Sequence, residues 1–391
     1  MSHLGIRLPG EPGQFTLSDP TTWSRPERPL TSRTAFAAAH VVPEVLSDTA
    51  PGAPASLDWD ATLAYRHDIW SYGLGVADAM DTAQRGMGLD WPATRELVQR
   101  SAKEAAGVGG LIACGAGTDQ LSAAEVGSGR AALARIVDAY KEQIDTVAGA
   151  GAQVIVMASR DLCRVAESAA DYDAVYDEII GYAPDGVILH WLGDMFDPAL
   201  SGYWGSTDVG EATRRFEDLV GRHAAKVDGV KISLLDADHE KAVRAGLPES
   251  VRLYTGDDYN YPELILGDDE HHSDALLGIF AAIYPAASQA FQALDRGDAE
   301  TARAILDSTV PLAKHIFAAP TRFYKTGIAF LSYLNGKQPG FVMVGGLQSG
   351  RSLTHLVETF TLADRAGLLA DPELARDRME QVLQTSGWTA S

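Results

Sequence analysis

Cysteine is nearly absent from this 391-residue chain, which contains only Cys114 and Cys163. Two cysteines are too few for a disulfide framework or for the ligand set of a structural zinc site. Both lie in or just after apolar runs, so we predict buried free thiols at these positions.

Basic residues and long apolar runs are also scarce. Lys and Arg number 32 against 53 Asp and Glu, which gives a formal charge of −21. An acidic surface without dense basic patches repels phosphate backbones, so we do not expect a nucleic-acid partner.

No apolar run approaches the roughly 20 residues of a membrane helix, and the first residues do not resemble a signal peptide. These features predict a cytoplasmic protein without a membrane partner.

What is present is an ordinary globular composition, with 46% hydrophobic and 8% aromatic residues. Residues 1–32 are rich in Pro, Ser, Thr and Arg and predict an irregular N-terminal arm. Short apolar runs alternate with helical patterns over residues 33–297, which we predict to be the catalytic domain. The pattern then becomes purely helical over residues 298–391, which predicts a C-terminal helical extension.

Eight apolar runs within residues 33–297 are strand candidates, each followed by a helical or helix-like segment. They are RTAFAAAHVVPE, VADAM, GGLIACGAG, AQVIVMAS, DGVILHWLG, VDGVKISLL, VRLYTGDD and DALLGIFAAIY, the last preceding a helix at ASQAFQALDRG. Continuous runs such as VIVMA are typical of parallel strands covered on both faces. A doubly wound sheet is the main alternative, but no GxGxxG motif follows the first strand. We therefore predict an α/β fold, a (β/α)8 TIM barrel with a C-terminal helical extension.

Functional side chains of such barrels lie at the carboxyl ends of the strands. The residues at these ends are His40, Asp81, Thr82, Gly115 to Asp119, Ser159, Arg160, His190, Lys231, Asp257 and Asp258. Lys231 is the unusual member, because burial at a barrel mouth favours the neutral amine that adds to a ketone. The alternative is a structural lysine that pairs with Asp257 or Asp258.

Two other functions remain open from the strand ends alone. One is a metal-dependent isomerase or hydrolase, for which imidazole and carboxylate groups would converge on a divalent ion. Its candidate ligands are His40, Asp81, His190, Asp257 and Asp258. The other is a barrel that binds a ligand without chemistry, in which Lys231 would form no covalent adduct.

Residues from about 33 to 336 resemble the dihydrodipicolinate synthase and N-acetylneuraminate lyase family of class I aldolases. The resemblance rests on DGVKISLL, VRLYTGDDYNYPELILGD and PAASQAFQALDRGDAETARAIL, which occur in the family's order and with similar spacing. It implies that Lys231 is the Schiff-base lysine. It also implies that Lys325, in the helical extension, corresponds to a non-catalytic family lysine and is structural.

The chain departs from this family where the family recognises its substrate. The family's Gly-Thr-Thr-Gly-Glu turn falls on MDTAQRGMGLDW, where Thr82 keeps the first threonine. Asp81, Ala83, Gln84 and Arg85 replace the other residues. The segment between the fifth and sixth strands is longer than in the family, which predicts that it covers the barrel mouth.

The family's Tyr-Asn pair falls on HW, so His190 takes the place of the proton-relaying tyrosine. These departures argue against dihydrodipicolinate synthesis itself. By its AAAHVVPE and AMDTAQRGMGLDW segments the chain resembles a divergent branch of this superfamily.

The resemblance implies a class I lyase or aldolase that acts on a 2-keto acid or keto-sugar and needs no cofactor or metal. Lys231, His190 and Thr82 are the implied catalytic residues. The implied substrate-binding residues are Asp81, Ala83, Gln84, Arg85, Asp257 and Asp258. A homo-oligomer is expected by family analogy alone, and the identity of the substrate remains open.

Overall fold

The computed structural model describes residues 4–10, 13–80, 84–268 and 270–388. The N-terminal arm, predicted to be irregular, contains a small antiparallel sheet of two strands, β1 (Gly5–Arg7) and β2 (Gln14–Thr16). Strands of three residues are too short to show an alternating pattern, so the prediction missed them. The arm also packs on the C-terminal helices, where the Trp23 indole donates to the carbonyl of Gly367 over 2.8 Å.

Eight parallel strands form a closed barrel, as predicted. They are β3 (Ala35–Ala38), β4 (Gly75–Asp78), β5 (Ile112–Ala116), β6 (Gln153–Val156), β7 (Val187–Leu192), β8 (Val227–Ser233), β9 (Arg252–Thr255) and β10 (Asp274–Leu277). The strands are paired in chain order, and β10 pairs with β3 to close the barrel. The predicted eighth strand was too long, because the apolar run that starts it continues into a helix from Phe280.

Helices connect the strands and surround the barrel. They are α1 (Trp59–Ser71), α2 (Trp91–Val108), α3 (Ala123–Val126), α4 (Arg130–Gly149), α5 (Arg160–Val165), α6 (Ala169–Tyr182), α7 (Val209–Arg222), α8 (Ala237–Gly246), α9 (Tyr261–Leu266) and α10 (Phe280–Asp295). An aspartate accepts a backbone hydrogen bond at the start of several of them, as Asp58, Asp90 and Asp208 do for α1, α2 and α7. Such N-caps satisfy backbone donors that the first turn leaves unpaired. None of the described helices is long and apolar enough to cross a membrane.

The C-terminal extension contains four helices: α11 (Ala299–Ile316), α12 (Tyr324–Leu334), α13 (Leu353–Arg365) and α14 (Pro372–Thr385). Every residue of α12 is buried, because the helix lies between the barrel and the rest of the extension. Of the two cysteines, Cys114 is a buried free thiol as predicted, whereas Cys163 is a free thiol that is only partly buried.

A buried ion pair joins the first helix of the barrel to its second strand. Arg66 Nη2 lies 2.6 Å from Asp78 Oδ1, its Nε lies 2.9 Å from Oδ2, and both side chains are 0% exposed. The guanidinium also donates to the carbonyls of His40 and Thr62 over 3.1 and 2.8 Å. This bidentate pair holds α1 against the carboxyl ends of β3 and β4.

Replacing Arg66 with Met should lower the free energy of unfolding by about 3–5 kcal/mol, because the Asp78 carboxylate would be left buried and unpaired. Arg100→Met is the control, because its partner Glu96 and Arg100 itself are about half exposed. That variant should lose about 1 kcal/mol or less. Chemical denaturation of the three proteins measures the difference, and equal losses would contradict the assignment.

Candidate active site

Two adjacent strands place His190 and Lys231 side by side inside the barrel. The two residues are direct partners in the register between β7 and β8. His190 is 1% exposed and Lys231 is 7% exposed. Both lie near the carboxyl ends of their strands, which is where barrel enzymes carry their catalytic groups. The structure thus brings together the two catalytic residues that were predicted on these strands.

Ser233 and Gly256 complete the surroundings of this pair, and neither was predicted from the sequence. His190 Nε2 lies 3.1 Å from Ser233 Oγ, two residues beyond the lysine on β8. A β-carbon at Gly256 would collide with Ser233 Oγ and would lie 3.0 Å from Lys231 Cε. A glycine at this position therefore leaves space for both side chains. Side chains two residues apart on a strand point to the same face, so the position of Ser233 two residues after Lys231 was the signal that would have identified it.

Asp258 approaches the same region from the loop that follows β9. Its Oδ1 accepts a hydrogen bond of 2.7 Å from the backbone of Ile279, and the side chain is buried. Burial raises the pKa of Asp258 to about 7, although the Ile279 N–H and the charges of Lys231 and Lys325 act in the opposite direction. A carboxyl group with this pKa exchanges its proton near neutral pH, as acid/base groups of active sites do.

Asp257, predicted with Asp258 as a substrate-binding residue, has a different environment. Its two oxygens accept hydrogen bonds from the Tyr259 and Asn260 backbones over 2.8 and 3.0 Å and from Asn260 Nδ2 over 2.8 Å. Burial raises its pKa, and these three donors oppose the change. The described contacts of Asp257 are therefore those of a residue that stabilises its own turn.

The predicted carboxylate-binding turn after β4 is only partly described, because Asp81, Thr82 and Ala83 lie outside the described residues. Gln84 is buried, and its side-chain oxygen accepts a hydrogen bond of 2.7 Å from the Val41 backbone. This bond holds the chain that leaves β3, so the described role of Gln84 is structural.

Arg85, in the same turn, forms an ion pair and several hydrogen bonds with its neighbours. Its guanidinium lies 2.8 Å from Asp119 and also donates to the carbonyls of Ala79 and Gly115, over 3.1 and 2.7 Å, and to Gln143. Burial opposes ionisation of Asp119, but the charge of Arg85 and the hydrogen bonds from Arg85 and Gln143 together outweigh it and lower the Asp119 pKa. The positive charge of Arg85 is thus paired with Asp119.

Of the residues proposed as metal ligands, Asp81 lies outside the described residues, and the other four form no cluster. His40 Nε2 lies 2.9 Å from the Gln338 side-chain oxygen, and burial lowers the pKa of His40 to about 3. Within residues 4–10, 13–80, 84–268 and 270–388, no three His, Cys, Asp or Glu side chains are placed to hold a metal ion. His40, His190, Asp257 and Asp258 therefore form no ligand cluster.

An aromatic cluster covers the mouth of the barrel. Phe196, from the segment between β7 and β8, lies 6.3 Å between ring centroids from both Phe317 and Tyr324, which stack on each other at 4.3 Å. A β-carbon at Gly278, just after β10, would lie 2.7 Å from these two rings. The segment after β7 therefore contacts the C-terminal extension near the end of β10.

Lys325, predicted to be structural, lies at the same mouth. It is 1% exposed, and its Nζ donates a hydrogen bond to the carbonyl of Ala38, the last residue of β3. The charge of Lys325 adds to the burial that lowers the pKa of His40. It acts against the burial that raises the pKa of Asp258. The C-terminal extension thus contributes a buried cation to the candidate site.

The pKa of Asp258 leads to a testable pH dependence of stability. Between about pH 4 and about pH 7 the folded protein holds a proton that the unfolded chain has lost, so stability falls as pH rises. Asp258→Asn has no ionisable group at this position, so its stability does not fall in this way. The Tm of this variant minus the Tm of the unsubstituted protein should therefore grow from about pH 5 to about pH 8. Glu240→Gln should behave alike, because burial raises the Glu240 pKa to about 8. A flat difference for Asp258→Asn beside a growing one for Glu240→Gln would contradict the assignment.

Comparisons with known proteins agree with this architecture. No curated protein matches the chain by sequence. Among solved structures, a putative dihydrodipicolinate synthetase from Pseudomonas aeruginosa matches with a TM-score of 0.63 at 16% identity, covering 85% of this chain and 99% of its own. Dihydrodipicolinate synthase from Thermotoga maritima matches with a TM-score of 0.59 at 15% identity, covering 87% and 100%. A dihydrodipicolinate synthase described as the first monomeric variant matches with a TM-score of 0.62 at 14% identity, covering 88% and 100%.

These identities are low, so the structural matches establish the fold alone. The family model described as "Protein of unknown function (DUF993)" matches residues 6–388, nearly the whole chain. The chain therefore belongs to the DUF993 family, a divergent branch among proteins that share the dihydrodipicolinate synthase barrel.

Proposed function

We propose that the protein is a class I lyase or aldolase that forms a Schiff base between Lys231 and a 2-keto acid or keto-sugar. The observation that carries this proposal is the burial of Lys231 beside His190 at the carboxyl ends of β7 and β8. A lysine in such a place has the surroundings that favour a nucleophilic amine. The metal-dependent alternative has no described ligand cluster to support it.

In the proposed reaction the neutral Lys231 amine adds to the substrate ketone, and loss of water gives an iminium. The bond between the carbon adjacent to the iminium carbon and the hydroxyl-bearing carbon beyond it then breaks, and its electron pair forms an enamine. The substrate hydroxyl that becomes the aldehyde gives up its proton to a base. Protonation of the enamine carbon and hydrolysis of the iminium restore the free lysine. Condensation follows the same steps in reverse.

His190 is the group that we propose to move these protons. Imidazole is the side-chain group that most often transfers protons in enzymes, and the Nε2 of His190 lies 3.1 Å from Ser233 Oγ, which would extend the relay by one hydroxyl. Asp258, whose pKa is raised to about 7, would bind a substrate hydroxyl or carbonyl oxygen. Thr82 would add a hydrogen bond to the substrate acid group, by analogy with the family turn.

The form that we propose is a cytoplasmic homo-oligomer that binds a small keto compound and needs no cofactor. The oligomeric state rests on analogy with the compared synthases, one of which is itself described as a monomeric variant. Asp81, Ala83, Gln84, Arg85 and Asp257 remain proposed only as residues that shape the pocket.

Borohydride trapping tests the Schiff base. Reduction in the presence of a panel of 2-keto acids and keto-sugars should fix a substrate-sized mass on Lys231, as read by peptide mass spectrometry. Lys231→Ala should abolish both the adduct and turnover while keeping the circular dichroism spectrum. The control is Lys337→Ala, which removes a partly exposed lysine paired with Asp68 and should leave trapping intact. An active Lys231→Ala variant, or no adduct across the panel, would refute the proposal.

A second experiment tests the role of His190. His190→Gln should still form the Lys231 adduct with pyruvate, but enamine formation should slow by about 10²- to 10⁴-fold, which is the range of acid/base catalysis. Exchange of the pyruvate methyl protons in D2O, followed by NMR, measures this step directly. His223→Gln, at the residue that ends α7 and pairs with Asp177, is the control and should exchange at the unsubstituted rate. Equal rates in the two variants would exclude His190 as the relay.

A further inference from the structure

A cavity of about 250 Å³ opens at the carboxyl ends of β5, β6 and β7. The residues that line it include Thr118 after β5, Ser159 and Arg160 after β6, and Asp197 after β7. Its volume is slightly below that of pockets that hold whole drug-sized ligands, so it suits one end of a small substrate. The reaction proposed above uses none of these four side chains.

The cavity begins beside the proposed catalytic histidine. Side chains two residues apart on a strand point to the same face, so Leu192, which lines the cavity, lies on the face of β7 that carries His190. The two residues are separated by about 7 Å along the strand. Met157, which also lines the cavity, packs inside the barrel in one cluster with Ile188, two residues before His190. The cavity thus adjoins the candidate site on its β5–β7 side.

The charged side chains that line the cavity are already neutralised. They are two arginines and three aspartates, and each of them belongs to an ion pair. The pairs are Arg160 with Asp197, Arg85 with Asp119 at 2.8 Å, and Asp161 with Arg164 at 3.0 Å. An anionic ligand would therefore meet no unpaired positive charge, and burial of an anion without one is costly. This charge balance favours a neutral ligand.

Hydrogen-bonding groups with unused capacity also line the cavity. Arg160 has five N–H donors, and in the part of the chain that the structure describes only its Nε has an acceptor, Asp197. A β-carbon at Gly86 would lie 2.5 Å from Arg160 Nη1, so this glycine leaves space for the guanidinium. Thr118 is 4% exposed, and its hydroxyl makes one described hydrogen bond, of 2.7 Å to Ser159 Oγ, although a hydroxyl can make three. Such a mixture of donors and acceptors matches ligand hydroxyl groups, because each of these both donates and accepts.

We propose that this cavity binds a neutral, polyhydroxylated tail of the substrate, on the far side of the carbon–carbon bond that breaks. This inference rests on the proposed Schiff-base function and deepens it. With the ketone carbon on Lys231, the chain passes His190, and its hydroxyl groups bind the polar side chains of the cavity. The C–H groups of the same chain pack on Leu121 and Leu200, which also line it. The aldehyde released by cleavage is then a hydroxylated aldehyde.

Three 2-keto acids of equal chain length test the tail. 2-Keto-3-deoxygluconate has a hydroxylated tail, 2-ketohexanoate has an alkyl tail, and the tail of 2-ketoadipate ends in a carboxylate. Half-maximal borohydride trapping on Lys231 is measured for each, counting the whole acid or its cleaved fragment, against the open-chain ketone concentration determined by NMR. The hydroxylated acid should need an about tenfold lower concentration than either of the others. Equal concentrations, or a preference for the alkyl or the carboxylate tail, would overturn the inference.

Arg160→Met tests the cavity itself. Half-maximal trapping by 2-keto-3-deoxygluconate should need an about 10- to 100-fold higher concentration, the usual effect of losing a charged hydrogen bond. Trapping by pyruvate, which has no tail, should change by about twofold or less. Arg164→Met is the matched control, because Arg164 lies one turn further along α5 and does not line the cavity. The two arginines are 42% and 44% exposed and each pairs with an aspartate, so Arg164→Met should change neither value.

Each result of the variant experiment decides the question. Loss confined to the hydroxylated acid supports the inference, whereas equal loss with pyruvate assigns Arg160 a structural role and overturns it. If Arg160→Met does not fold, Thr118→Val keeps the shape of its side chain and should weaken trapping by the hydroxylated acid alone, by about 2- to 10-fold. No change in that variant would likewise overturn the inference. Absence of any Lys231 adduct, with pyruvate included, would instead refute the Schiff base, and the inference with it.

Discussion

Closure of the barrel between β10 and β3 is the constraint on which the rest of the structure depends. These strands are far apart in sequence, and Asp274 joins them by accepting a hydrogen bond of 2.7 Å from the Thr34 backbone. Arg252 on β9 reaches the same carboxylate over 2.9 Å. Once the ring is closed, the chain that leaves β10 must lie beside the carboxyl end of β3. This geometry brings α12 and Lys325 to the mouth.

The sequence was sufficient for the features that depend on local patterns. Apolar runs separated by helical segments predicted the eight strands, and the position of Lys231 within its run predicted its place at the strand end. Ser233 was not predicted, and Lys325 was predicted to be structural without its contact to β3. Ser233 is an ordinary residue whose importance depends on its distance from His190 on the neighbouring strand. Lys325 contacts Ala38 across 287 positions of sequence, and no local pattern reports such a contact.

The neighbouring residues Asp257 and Asp258 illustrate the same limit. They are chemically identical and adjacent in sequence, so the sequence assigned them one role. The turn takes both oxygens of Asp257, whereas Asp258 accepts a hydrogen bond from Ile279 and has its pKa raised by burial. Only the direction of each side chain separates a turn-stabilising carboxylate from a proton-exchanging one.

The position of Lys325 also bears on how this chain divides into parts. Strand order alone suggests a complete barrel ending near residue 297, followed by a dispensable appendage. Yet the appendage supplies a buried ammonium and two of the three rings that cover the mouth. The iminium that we propose on Lys231 would need shielding from water, because water hydrolyses it. The unit that carries the proposed chemistry would therefore extend beyond the barrel strands and through α12.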